Sequence, residues 1–127
     1  MTQRLSRTEW AIALVAMALA FGLGGWLKQG QPPGTADQAL QLRAAIQPGQ
    51  LQMISSVTCG YCHKARVWLN EAQVPFQECF VEREAECRKR FAQTGARATP
   101  TFVLHGQAVL GLDPARLLSI AEAQRGQ

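Results

Sequence analysis

The chain has 127 residues, a formal net charge of +4, 17% charged residues and 47% hydrophobic residues. That length allows one ordinary domain, and the hydrophobic content excludes disorder over the whole chain. The charge is too small and too dispersed for a nucleic-acid-binding surface, and four cysteines are too few for a disulfide-framework scaffold.

From the N-terminus, residues 1–9 form a short tail with Arg4 and Arg7. Trp10–Leu27 then runs 18 residues without a charge. As a helix it measures about 27 Å, enough to span a thin bilayer, with Trp10 and Trp26 at its two ends. The basic bias on its N-terminal side places the remainder outside the cytoplasm. The expectation is a single-pass signal anchor at residues 10–27 in the inner membrane, with the rest in the periplasm. A signal peptide cleaved after Ala18-Leu19-Ala20 and a buried core helix are the competing readings. Either membrane reading puts the cysteines in a compartment where disulfides persist.

Residues 28–50 read as a linker, since Gly30, Pro32, Pro33 and Gly34 break structure early and Pro48-Gly49 does so again. A short helix over Ala36–Ile46 is compatible with Leu40, Leu42 and Ile46. The globular part is residues 51–124. Its pattern predicts strands at Leu51–Ser55, Pro75–Val81, Thr101–His105 and Ala108–Leu110, the last two joined by a tight turn at Gly106-Gln107. Helices are predicted at Cys62–Ala72, at Glu84–Thr94 closed by Gly95, and from an Asp113-Pro114 start to Gln124. The order β-α-β-α-β-β-α predicts an α/β fold with a mixed four-stranded sheet, parallel at the first crossover and antiparallel at the closing hairpin.

The chemistry is carried by Cys59-Gly60-Tyr61-Cys62, placed where a strand gives way to a helix. There the unpaired backbone N–H groups and the positive end of the helix dipole stabilise a thiolate. Cys59 is thus the candidate nucleophile and Cys62, one turn on, the candidate resolving thiol. Gly60, His63 and Lys64 are candidates for tuning the potential, and Tyr61 is expected to stand exposed beside the cysteines as a substrate contact. Three alternatives exist. A purely structural disulfide fits poorly with the strand-to-helix setting. Zinc would want a second close cysteine knuckle, whereas the spacing is C-x2-C-x16-C-x7-C. Cys59–His63 also fits the C-x-x-C-H haem attachment pattern, although Met1, Met17 and Met53 all lie upstream and His105 is the only other histidine.

Thr58–Lys64, TCGYCHK, resembles the active site of bacterial periplasmic disulfide isomerases, which are thioredoxin-fold enzymes. Ala98–Leu104, ATPTFVL, resembles the segment in which such proteins carry a cis-proline before the third core strand. In size, and in the stretch VPFQECFVE, the domain resembles glutaredoxin, without the helical insertion or separate dimerisation domain of the isomerases. Gly111-Leu112 stands where glutaredoxins have a Gly-Gly that contributes to glutathione binding. The resemblance implies a thioredoxin-like fold and a thiol–disulfide oxidoreductase of the reductase or isomerase type, with a non-catalytic thioredoxin-like module that binds a membrane partner as the alternative. It implies that Pro100 is cis beside Cys59, and that Thr99 and Pro100 frame the substrate groove. No metal or organic cofactor is implied. The partners implied are cysteine-containing proteins and a membrane or periplasmic redox partner, the chain itself acting as a monomer.

Cys79 and Cys87 are expected in consecutive elements. The spacing of Cys87 and Phe91 puts them on one helix face. A structural disulfide between the two cysteines, worth about 2–3 kcal/mol for so short a loop, resembles the extra bond of related extracytoplasmic domains. Two free buried thiols and a second redox relay are the alternatives. The charged run from Glu82 to Arg90 reads as a solvated face.

Overall fold

A computed structural model describes residues 34–127. The tail at 1–9 and the apolar run at 10–27 lie outside the described residues. Among the described residues no helix is long and apolar enough to cross a membrane.

The elements are α1 (Ala36–Ala45), β1 (Leu51–Ser55), α2 (Gly60–Glu71), β2 (Gln77–Phe80), α3 (Ala85–Thr94), β3 (Thr101–Leu104), β4 (Gln107–Leu110) and α4 (Pro114–Arg125). The sheet order is β2-β1-β3-β4. β1 is parallel to β2 and antiparallel to β3, and β4 returns antiparallel on β3. This is the expected α/β architecture with a mixed four-stranded sheet.

The central strands are apolar on both faces because helices cover both. On one face Leu51, Met53, Phe102 and Leu104 join Leu42, Leu69, Leu117 and Ile120 in the main core, against which Trp68 packs half-buried. On the other, Ile54, Cys79 and Cys87 form a smaller cluster with Val81, Phe91 and Val103 against it. The alternation along β1 and β3 accounts for the split: odd positions of β1 and even positions of β3 face the main core, and their neighbours face α3.

The linker expected at 28–50 needs correction. Residues 28–33 lie outside the described residues; the short helix expected over Ala36–Ile46 forms, with a capping box in which Gln38 N donates to Thr35 Oγ1 (3.2 Å) and Thr35 N donates to Gln38 Oε1 (2.9 Å), but it is not part of a linker. Leu42 and Ile46 are sealed in the main core, and α1 packs on α4. The helix belongs to the domain, because its Leu42 and Ala45 share one core with Leu51, Leu69, Phe102 and Leu117.

Three boundaries also move. α2 starts at Gly60 rather than Cys62, which makes Cys59, expected at the helix N-terminus, its N-cap. β2 is shorter than Pro75–Val81. The hairpin turns at His105-Gly106, whose φ angles are 48° and 77°, one residue earlier than expected. Two consecutive positive φ values match the right-handed twist of the flanking strands, and Gly106 takes one of them without penalty. At the other hinge of the fold, Gly95 closes α3 at φ 68° as the expected C-cap.

Candidate functional site

β1 ends at the middle of the sheet, and the chain reverses through Ser56–Thr58 into α2. Cys59 N donates to Ser56 O (3.2 Å), which closes that turn. Cys59 then caps the helix with its own sulfur: Cys62 N donates to Cys59 Sγ at 3.0 Å. The sulfur thus occupies the position where helix N–H groups point outward, and no acidic residue sits in the first turn of α2. Cys59 and Cys62 form a disulfide with Cα atoms 5.2 Å apart. Cys62 is fully buried, whereas Cys59 is partly exposed. Only the first sulfur is therefore open to a partner molecule.

Opposite the cysteines, the Thr99–Pro100 peptide bond is cis. The loop that carries it is fixed on both sides. Thr101 Oγ1 donates to Ala98 O (2.8 Å), and Gly111 N donates to Pro100 O (2.8 Å). Gly111 has φ 74°, a value that suits glycine at the close of β4. Thr99 O lies 3.3 Å from Cys59 Sγ. In the disulfide that sulfur has no proton to donate, so this is a close approach and not a hydrogen bond.

Between the two segments runs an open groove of about 550 Å³, lined by Tyr61, Lys64, Thr99, Pro100, Leu110 and Leu112 among others. Tyr61 is exposed, and Lys64 Nζ stands 5.6 Å from its ring centroid. The structure thus brings together Cys59, Cys62, Tyr61, Lys64, Thr99 and Pro100. It does not bring His63 to the groove lining; His63 is exposed on α2. Gly60 is exposed with open space where a Cβ would stand. Sequence reasoning missed Leu110. Its signal was the alternation with buried Val109, which turns Leu110 to the opposite side of β4, where it remains exposed.

Cys79 and Cys87 form a disulfide on the α3 side of the sheet, with Cα atoms 5.8 Å apart, so all four cysteines are paired. Among the described residues, the haem alternative finds no second axial ligand beside the motif. Met53 is sealed in the core, and His105 lies at the far end of β3 from Pro100, a strand length of roughly 13 Å.

A half-buried ion pair braces α2 against the sheet. Arg66 Nε and Nη2 each donate to a Glu78 oxygen at 2.6 Å, and Ser55 Oγ donates to Glu78 Oε1 at 2.6 Å. Burial pushes the Glu78 carboxyl up, but the Arg66 guanidinium and the Ser55 hydroxyl outweigh it and leave the group below its ordinary value. A carboxylate with a depressed native pKa stabilises the fold above its unfolded pKa, and that stability is lost as pH falls through the native one. Glu78→Gln is expected to lower stability at pH 7 by about 1–2 kcal/mol. Urea unfolding should show the gap from wild type narrowing as pH is lowered below the ordinary glutamate range and through the depressed native value. A gap that does not narrow at any acid pH at which the protein stays folded contradicts the ion-pair assignment.

Residues 51–109 match the Glutaredoxin family. Among solved structures, a point mutant of the thioredoxin-like protein BC3987 aligns at 23% identity with a TM-score of 0.52, covering 58% of this chain and 96% of that one. Methanoredoxin from Methanosarcina acetivorans aligns at 24% identity with a TM-score of 0.48, covering 60% and 87%. No curated protein matches. With a helix-capping C-x-x-C pair facing a cis-proline on a four-stranded mixed sheet, residues 51–109 form a glutaredoxin-like, thioredoxin-fold domain of the thiol–disulfide oxidoreductase class.

Proposed function

We propose that this protein is an extracytoplasmic thiol–disulfide oxidoreductase, of the reductase or isomerase type, that exchanges disulfides with cysteine-containing proteins through a mixed disulfide at Cys59. The observation that carries the reading is the unequal exposure of two sulfurs within bonding distance, the open one capping a helix.

In the reduced enzyme the Cys59 thiolate attacks one sulfur of a substrate disulfide. The substrate S–S bond breaks, a Cys59–substrate bond forms, and the departing thiolate takes a proton from water. Cys62, once deprotonated, attacks Cys59 Sγ; the mixed disulfide breaks and the second substrate thiolate leaves. The substrate gains two electrons and the enzyme ends as the Cys59–Cys62 disulfide, which a membrane or periplasmic dithiol partner must reduce again. Thr99 and Pro100 line the groove in which an extended substrate segment docks by strand-like backbone contacts, with Tyr61 and Lys64 on the facing wall. Gly60, His63 and Lys64 tune the potential of the pair.

The location rests on the uncharged run Trp10–Leu27 with its basic N-terminal flank, read as an inner-membrane anchor with the domain on the periplasmic side. Pairing of Cys79 with Cys87 supports an oxidising compartment. Cys62→Ser is expected to accumulate the mixed disulfide, because the resolving step is removed while the attack is kept. Non-reducing gels of that variant should show reductant-sensitive adducts at Cys59. A Cys62→Ser protein that forms no adduct with any disulfide substrate supplied in excess would overturn the proposal.

A further inference from the structure

The segment closed by the Cys79–Cys87 disulfide does more than tie β2 to α3, because its turn is bonded to the loop that delivers Cys59. Phe80 O accepts from Arg83 N (3.1 Å) and Glu84 N (3.0 Å), and Phe80 N donates to Glu84 Oε1 (3.0 Å). This makes a tight turn over residues 80–84 between the two bonded cysteines. Three contacts then cross to the end of β1 and the loop after it. Val81 N donates to Ser55 O (3.0 Å), Ser56 Oγ donates to Glu82 Oε1 (2.5 Å), and Val57 N donates to Glu82 Oε2 (3.2 Å). One carboxylate thus uses both oxygens on consecutive residues of the turn that Ser56 O and Cys59 N close. The Ser56 hydroxyl, the strongest influence, holds the Glu82 carboxyl below its ordinary value, so the group is ionised at neutral pH.

We infer that Glu82 is a positioning residue for Cys59: presented by the turn that the Cys79–Cys87 disulfide closes, its carboxylate holds the Ser56–Cys59 turn so that the Cys59 sulfur sits on the N-terminal axis of α2. The inference rests on the reading of Cys59 as the nucleophile. It assigns the second disulfide a part in the chemistry although its sulfurs exchange with nothing. The favourable effect of a helix N-terminus on an anion fades within the first turn, so a sulfur that drifts from its cap loses it.

The sign of the effect separates positioning from simple charge. Removing a nearby negative charge alone favours the Cys59 thiolate, whereas loosening its turn disfavours it. Glu82→Gln keeps the shape but supplies one acceptor oxygen in place of two. In the full-length protein with the Cys59–Cys62 pair reduced and the Cys79–Cys87 disulfide intact, iodoacetamide modification of Cys59 is followed by mass spectrometry across pH. Glu82→Gln is expected to slow modification at pH 7 about three- to fivefold and to move the midpoint of the pH profile upward, with the Val57 amide exchanging hydrogen faster. Ser56→Ala should move the same readouts in the same direction by less. A midpoint that stays put or moves downward, with Val57 exchange unchanged, overturns the inference while a reactive wild-type Cys59 leaves the proposed function standing. A wild-type Cys59 no more reactive than free cysteine overturns both. Replacing Cys79 and Cys87 together with serine is expected to reproduce the Glu82→Gln shift, with no further shift when the two changes are combined; fully additive shifts contradict the part given to the disulfide.

Discussion

Cys59→Ser is expected to abolish disulfide exchange, with a loss of roughly 10³-fold or more against wild type in any assay of substrate-disulfide reduction. Cys62 does not substitute for it, because that sulfur is fully buried behind the first turn of α2. The fold should survive. Cys59 is partly exposed and its sulfur accepts from Cys62 N, a bond that a serine hydroxyl can also accept in the N-cap position. The variant therefore separates chemistry from folding. Circular dichroism and the melting temperature, taken under reducing conditions, should match wild type while activity is lost. Retained exchange in Cys59→Ser contradicts the assignment of the nucleophile.

The second large effect lies in the helix that the sequence reading placed in a linker. Leu42 is fully buried against the sheet and α4. Leu42→Ala removes apolar contacts and leaves a cavity, an expected loss of about 2–5 kcal/mol. For a domain of this size that lowers Tm by about 10 °C or more, and it takes a large share of a typical total stability of about 5–15 kcal/mol. Leu40, two residues away on the same helix, is 63% exposed. Leu40→Ala should stay within about 0.5 kcal/mol of wild type. Thermal unfolding of the two variants side by side tests the docking of α1, since equal and small effects are what an undocked linker would give.

These contrasts show where the sequence was legible. The strands and helices from Leu51 onward carry strong period-two or helical patterning bounded by Gly95, Gly106 and the Asp113-Pro114 start, and their order was readable. The burial of α1 was hard to read for a physical reason. Its sequence, ADQALQLRAA, is mostly small or polar, and its two leucines point in different directions, so no apolar stripe announces a buried face. The legible signal was the Thr35-x-x-Gln38 capping box, overshadowed by the prolines and glycines on both sides.

The site divides in the same way. The C-x-x-C pair and the Thr-Pro segment are short local patterns with a mechanism behind them, and they stand out in one chain. The groove wall at Leu110 and the Arg66–Glu78 brace depend on which strands become neighbours, which local pattern does not specify. Glu82 is the clearest case. Within the run Glu82-Arg83-Glu84 it reads as one more solvated acid, and it is indeed exposed. Its two bonds to Ser56 and Val57 arise only because β2 pairs with β1 in parallel and brings the two following turns side by side.

Underlying the account is the claim that a helix cap makes Cys59 a reactive thiolate. The most direct measurement is the pH profile of alkylation of the two active-site cysteines in the reduced protein, each followed on its own peptide. The account predicts that Cys59 is modified first and faster than free cysteine at neutral pH, its profile displaced to the acid side, while buried Cys62 resists until the fold is opened. A Cys59 that reacts at or below the rate of free cysteine, or only after Cys62, contradicts it.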